Sequence, residues 1–231
     1  MDIIHPNYPI VKKFMKTPSQ PKRTYRSTRR QAQARETRAQ ILAVARKLFI
    51  ANGYAGATIE AIAQESGVAA ETVFAIFGNK RTILARLVEI AVGGDDQPVP
   101  LLKRAGPQAV LKEPDPARQI GMFAQDISAI LERVAPLFEI VRMAAKTVPD
   151  IAELLQNLLQ VRFTNISFFV RRLSEHGLFR EGLDGLQAAE TVWAITSPEV
   201  FQLLTRDRGW PPEQFTAWLG ETLTRLLLPD S

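Results

Sequence analysis

Residues 67–80 read GVAAETVFAIFGNK, and the reading of this stretch decides the fold. A glycine opens it, two phenylalanines sit within it and Gly-Asn-Lys closes it. With the preceding TIEAIAQES (58–66), it has the form of two short helices joined by a glycine turn. Thr58 stands where a helix N-cap belongs, although Ala61 occupies the place where a capping box needs Glu or Gln. Ile59, Ile62 and Ala63 recur at helical spacing and face inward, and Gly67 ends that helix. The next helix begins near Glu71 and ends at Gly78. Ala63 and Gly67 are small where the two helices cross, and Val68 plugs the turn into the core, as Phe77 does one helix later.

Working outward, RETRAQILAVARKLFIANG (35–53) places Ile41, Leu42, Ala45, Leu48 and Phe49 at spacings of three and four. This is an amphipathic helix of several turns, ended at Asn52-Gly53. Another helix follows from Lys80 to about Val92. Three short helices with a glycine turn between the second and third make a helix-turn-helix. In that arrangement one helix crosses the DNA backbone and the next enters the major groove. Residues 67–79 nevertheless carry a single charge, Glu71, and no Lys or Arg.

The charge lies elsewhere. Residues 1–38 hold ten basic groups against Asp2 and Glu36, a net of +8, whereas residues 39–231 hold 19 basic and 22 acidic groups, a net of −3. A basic arm on a mildly acidic body points to a polyanionic partner. Residues 1–34 contain four prolines and no sustained apolar period, so the segment 1–28 is expected to be a disordered basic arm. The expected domains are this arm, a DNA-binding unit over 29–92, a Pro/Gly-rich connection over 93–116 and a helical bundle over 117–231. Within the bundle the pattern predicts helices near 117–134, 136–147, 149–177, 185–207 and 212–228, with breaks at Pro136, Pro149, Gly177, Gly182, Gly209 and Pro211-Pro212. No alternating β-branched run competes, so the fold class is all-α.

At this point the sequence resembles the TetR family of bacterial transcriptional regulators. The resemblance covers Thr37 to Leu84 and rests on ILAVARKLFIANGY, GAT, IEAIAQESGV and ETVFAIFGNK, with Thr58, Ile62, Ala63, Gly67, Val68, Thr72, Phe77, Lys80 and Leu84 at family positions. Three residues depart from the family pattern. Ser66 replaces an alanine, Phe74 stands where tyrosine is usual, and Ile76 stands where histidine is common. The last two remove polar groups from the recognition helix.

The resemblance implies that Thr72 and Lys80 contact phosphates. Thr72 lies in the first turn of its helix, beside free backbone N–H groups, and Lys80 opens a helix, where a cation is unfavourable to the macrodipole. Thr58 is a cap, and at that helix N-terminus it is also a candidate for touching a phosphate. Ala69, Ala70, Val73 and Phe74 are the expected groove-facing surface; being small or apolar, they suit thymine methyl groups and groove shape. Arg35 and Arg38 are the arginines expected at the DNA backbone, and arginines upstream, such as Arg23 and Arg26, are expected to supply attraction from the arm.

The resemblance also implies a C-terminal domain for dimerisation and inducer binding. Phe201, Leu204, Trp218, Leu219, Leu223 and Leu226 form stripes expected at a homodimer interface. Met122, Phe123, Ile127, Phe138, Arg142, Phe163, Phe168 and Trp193 mix aromatics, methionine and one charge, and are the candidate lining of a pocket for a largely apolar small-molecule inducer. A plain helical core accounts for the same stripe. The whole is expected to be a homodimeric repressor on a palindromic operator; the alternative is a helical ligand-binding or interaction module with weak or lost DNA reading.

Other classes find little support. His5 and His176 are the only histidines and cysteine is absent, which removes histidine-based triads, thiolate nucleophiles and paired-histidine or thiolate metal sites. Gly93-Gly94-Asp95-Asp96 lacks the Gly-Lys-Ser/Thr of a phosphate loop. No enzyme activity, catalytic residue, metal or cofactor is expected. No run approaches the roughly 18–20 apolar residues of a membrane span and no signal-peptide pattern is present, so a cytoplasmic protein without membrane partners is expected.

Overall fold

The computed structural model describes the chain from Thr24 to Pro229 except Leu178, with side chains from Arg29 onward. The chain divides into two compact units, Met1–Arg38 and Ala39–Ser231. Helix α1 spans Thr24–Gly56 and so begins inside the segment expected to be without structure; the rest of that arm, Arg23 included, lies outside the described residues. Within the first unit, Arg35 Nε donates to the Gln31 carbonyl at 3.4 Å.

In the second unit every regular element among the described residues is helical. The backbone of α1 leaves helical geometry at Gly53 (φ 66°, ψ −177°), where the periodicity ends. Helices α2 (Ile59–Glu65), α3 (Ala70–Phe77) and α4 (Lys80–Gly93) follow. Ile41, Ala45, Phe49, Ile62, Val73, Ile83 and Leu84 bury completely among them, so each helix contributes one apolar stripe to a shared core. Gly67 adopts φ 65°, a left-handed conformation that L side chains rarely take, and the Val68 N–H then returns to the Ala63 carbonyl at 3.0 Å. This fixes the turn between α2 and α3.

A 3₁₀ turn (Leu101–Lys103) and the short α5 (Ala105–Lys112) lead into α6 (Pro116–Ala145) and α7 (Pro149–His176), a long antiparallel hairpin. Phe123 of α6 stacks on Phe169 of α7 with centroids 3.9 Å apart, which sets their register. Gly177 closes the hairpin: a Cβ there would stand 2.7 Å from Pro116 Cγ, so any side chain would push the end of α7 off the start of α6.

One expected break is absent and one unexpected break is present. Pro136 lies inside α6 instead of starting a new helix. The lost backbone hydrogen bond, of the kind that costs about 3 kcal/mol in an exposed helix, is outweighed by the burial of Val134, Ala135, Leu137 and Phe138 around it. Conversely, residues 185–207 form α8 (Gly185–Ile195), α9 (Pro198–Gln202) and a π-helical turn, Leu203–Asp207. The break at Thr196–Ser197 is set by Ser197, whose hydroxyl caps the Val200 N–H at 3.2 Å, and by Pro198 at the first helical position.

Helix α10 (Pro212–Leu227) completes the bundle. Phe215, Leu219, Leu223 and Leu227, spaced four apart, are fully buried. The backbone of α10 comes close to α6, where a Cβ on Gly220 would lie 3.6 Å from Ala124 Cβ. Half of the stripe expected at a dimer interface is buried within the chain. Leu219 and Leu223 are core, and Phe201 packs edge-on against Phe215 at 4.9 Å. Leu204, Trp218 and Leu226 stay half-buried, and Leu203 is 55% exposed. No helix among the described residues is long and apolar enough to cross a membrane.

Candidate nucleic-acid interface and ligand cavity

Helix α3 presents two unlike faces. Val73 and Phe77, four residues apart, point into the core at 0% and 4% exposure. Phe74 and Ala75 lie on the other side, Phe74 at 48% exposure, while Ala69 is exposed and Ala70 half-buried at the N-terminal end. Of the expected groove-facing set, Ala69 and Phe74 are exposed and Ala70 half-buried, whereas Val73 is core and cannot face a groove. The sequence held the signal: Phe77 was assigned to the core, and a residue four positions earlier on a helix shares its face. Ala75, outside the expected set, joins the exposed surface.

The helix starts at Ala69 without any side-chain cap. Thr72 is half-buried and its hydroxyl takes no part in capping, so it and the first backbone N–H groups of α3 form a donor set at the positive end of the helix. Thr58 does cap: its Oγ1 accepts from the Ala61 N–H at 3.0 Å while the residue stays exposed. The accepting lone pair is used and the hydroxyl proton is left to donate.

Lys80 is not a solvated lysine. Its Nζ donates to the Tyr54 carbonyl at 2.6 Å and lies 4.2 Å from the Tyr54 ring centroid. Burial pulls its ammonium below the usual lysine range, opposed by the nearby Glu60. Lys80 thus pins the start of α4 to the segment after the α1 break. Asn79 caps α4, its Oδ1 accepting from the Thr82 N–H at 2.9 Å. Arg35 is exposed and Arg38 half-buried; both belong to the first unit.

Helix α4 is held at both ends. Arg81 Nε donates to the Asp150 carbonyl at 3.0 Å in the first turn of α7. Arg133 of α6 donates to the Ala91 carbonyl at 2.8 Å, placing a cation where the C-terminal carbonyls of α4 collect negative charge. Ile83, Leu84 and Leu87 complete the core of α1–α3, and Val88 and Val92 form part of the wall of a cavity of about 140 Å³.

That cavity lies among α4, α5, α6 and α7 and is lined mainly by aliphatic side chains with Phe123, Phe138 and Phe169. Of the expected lining, Phe123, Ile127 and Phe138 are present. Met122, Arg142, Phe163, Phe168 and Trp193 are not. Arg142 is ion-paired with Glu199 on the other side of α9's first turn. Phe168 carries the Arg171 guanidinium at 5.1 Å, and Phe163 and Trp193 line a separate shallow depression with Gln156 and Glu190. These side chains turn away because α6 and α7 each offer only one stripe to the cavity.

Three polar residues break the apolar wall: Asp126, Arg162 and Asn165. Burial raises the Asp126 carboxyl above the usual range, opposed by Arg133. Burial pulls Arg162 down to about 10. The sequence reading missed both charges, although each interrupts an apolar stripe: Arg162 stands between Leu158 and Ile166, and Asp126 between Phe123 and Ile130. Among the described residues no group of His, Cys, Asp and Glu could hold a metal ion.

Residues 41–87 match the family model for bacterial regulatory proteins, tetR family. No curated protein sequence matches the chain. Solved structures share the fold. NalD, the secondary repressor of the MexAB-OprM multidrug efflux pump in Pseudomonas aeruginosa, is 19% identical with a TM-score of 0.66, over 86% of this chain and 100% of its own. PfmR, a TetR family transcriptional regulator from Thermus thermophilus, is 24% identical with a TM-score of 0.61, over 80% and 97%. The transcriptional regulator FadR from Bacillus subtilis, solved with stearoyl-CoA, is 18% identical with a TM-score of 0.62, over 80% and 96%.

Proposed function

We propose, for a chain whose helix-turn-helix domain belongs to the tetR family of bacterial regulatory proteins, that it is a cytoplasmic homodimeric repressor released from a palindromic operator by a small, largely apolar inducer. The observation that carries this reading is the double duty of α4. One of its faces packs into the helix-turn-helix core and the other, at Val88 and Val92, forms a wall of the cavity. A ligand that favours one position of α4 changes how α3 is presented. Two copies are needed because a single α3 surface of Ala69, Ala70, Phe74 and Ala75 offers little affinity alone. Leu203, Leu204, Trp218 and Leu226 supply apolar surface for the second copy. Arg35, Arg38 and the basic arm supply attraction to phosphate, while Thr58, Thr72 and the α3 N-terminus position the helix.

The test is a mobility shift with the duplex upstream of the gene at moderate salt, with the dimer confirmed by sedimentation. A specific shift over random DNA is expected, and deletion of residues 1–28 weakens binding to all sequences while flattening the salt dependence. Equal affinity for upstream and random DNA favours the second reading, a helical ligand-binding or interaction module. That reading is motivated by an α3 without Lys or Arg, with Phe74 and Ile76 in place of polar residues.

A further inference from the structure

The cavity has an electrically unbalanced end. Arg162 is half-buried on α7, and Nη2 donates to Thr196 Oγ1 at 3.0 Å and to the Trp193 carbonyl. Its guanidinium lies 5.0 Å from the Trp193 ring centroid. Both of these acceptors are neutral, and the buried Nε–H has no hydrogen-bond partner. Glu199, the acid within electrical reach, is already paired with Arg142, which itself opposes the charge on Arg162. Two guanidiniums therefore share one carboxylate.

Asp126 does not repair this imbalance. The Phe123–Phe169 stack brings Arg162 level with Ile130, one turn or about 6 Å along the axis from Asp126. The carboxylate has its own cation in Arg133, and a Cβ on Gly106 would stand 2.7 Å from Asp126 Oδ1, so α5 crowds that end. A guanidinium in a largely apolar surround whose nearby carboxylate is shared with a second guanidinium is incompletely balanced, and an anion delivered to it gains a charge-assisted hydrogen bond.

Size narrows the class further. The cavity of about 140 Å³ is close to the roughly 150 Å³ of an engineered apolar cavity that admits benzene.

We propose that this cavity takes a small organic monoanion: a carboxylate on an apolar body about the size of one aromatic ring, with the carboxylate on Arg162 and the body against Phe123, Ile127 and Ile166. The assignment rests on the cavity being the inducer site and adds the charge and size of what enters it.

The experiment uses the full chain without DNA, titrated calorimetrically with phenylacetate, phenylacetamide and phenethylamine, which share a ring and differ in head charge. Phenylacetate is expected to bind about tenfold or more tightly than the amide, and the amine more weakly still. Arg162→Gln abolishes the preference for the anion and leaves amide binding in place. Because Arg162 also ties α7 to Thr196, Arg162→Lys is the companion variant; it keeps a cation and part of the preference. Ile127→Trp fills the cavity without touching the guanidinium and abolishes binding of all three. Equal affinities, preference for the amine, no binding by any of the three, or an anion preference that survives in folded Arg162→Gln overturns the assignment. Phenylacetate that binds without loosening operator DNA upholds the site and counts against the repressor reading. Specific operator binding by a protein that takes none of the probes does the reverse.

Discussion

At the scale of the residue, Lys80 and Asp126 are informative because each is charged and partly withdrawn from water. Lys80 combines a charge-assisted hydrogen bond to the Tyr54 carbonyl with a contact to the Tyr54 ring. Lys80→Met is expected to lower stability without DNA by about 1.5–3 kcal/mol, read by urea denaturation; a lysine used only for phosphate would leave the midpoint unchanged. Asp126 works in the opposite sense. Its carboxyl is raised by burial, so the folded state holds the proton more tightly than the unfolded chain, and stability falls as pH rises through the range between the two values. Asp126→Asn is therefore expected to raise Tm at pH 7, with the gain vanishing once pH drops below the ordinary Asp value, where both carboxyl and amide are neutral. A gain of equal size at both pH values would remove the electrostatic explanation. Neither behaviour was legible in the sequence. The role of Lys80 depends on where the α1 break places Tyr54, and Asp126 sits among apolar residues whose common face becomes a cavity only when α4 and α5 close over it.

Among the elements, α10 shows why a stripe on its own is ambiguous. Phe215, Leu219, Leu223 and Leu227 are spaced for any helix-facing surface, whether that helix is in the same chain or another. In this fold Phe215, Leu219, Leu223 and Leu227 are all fully buried within the chain, so their stripe faces its own bundle. Leu219→Ala is expected to cost about 2–5 kcal/mol while leaving the self-association constant measured by sedimentation unchanged. An interface residue would instead weaken self-association. The helices α2, α3 and α4 were legible because their punctuation is local: Thr58 caps, Gly67 turns, Gly78 and Asn79 stop and restart. Pro136 misled because its local cost is overruled by packing from α9 and α10, which sequence distance conceals. The break at Ser197-Pro198 carried the same kind of cap-and-proline signal as the others, inside an otherwise continuous apolar pattern.

For the whole molecule, the second unit joins the exposed face of α3 to the cavity through one helix, α4. Arg81 and Arg133 hold that helix to α7 and α6 at opposite ends, so displacement by a ligand is resisted at two points and its energetic cost is shared between them. The exposed face of α3 has a further consequence. It presents carbon where many recognition helices present amides or guanidinium groups, with Phe74 at its centre. On the proposed function, such a surface would measure where methyl groups stand in the major groove and not which hydrogen bonds are offered. An operator in which thymine is exchanged for uracil keeps every base pair and every donor and acceptor, yet to this protein it would be a different sequence.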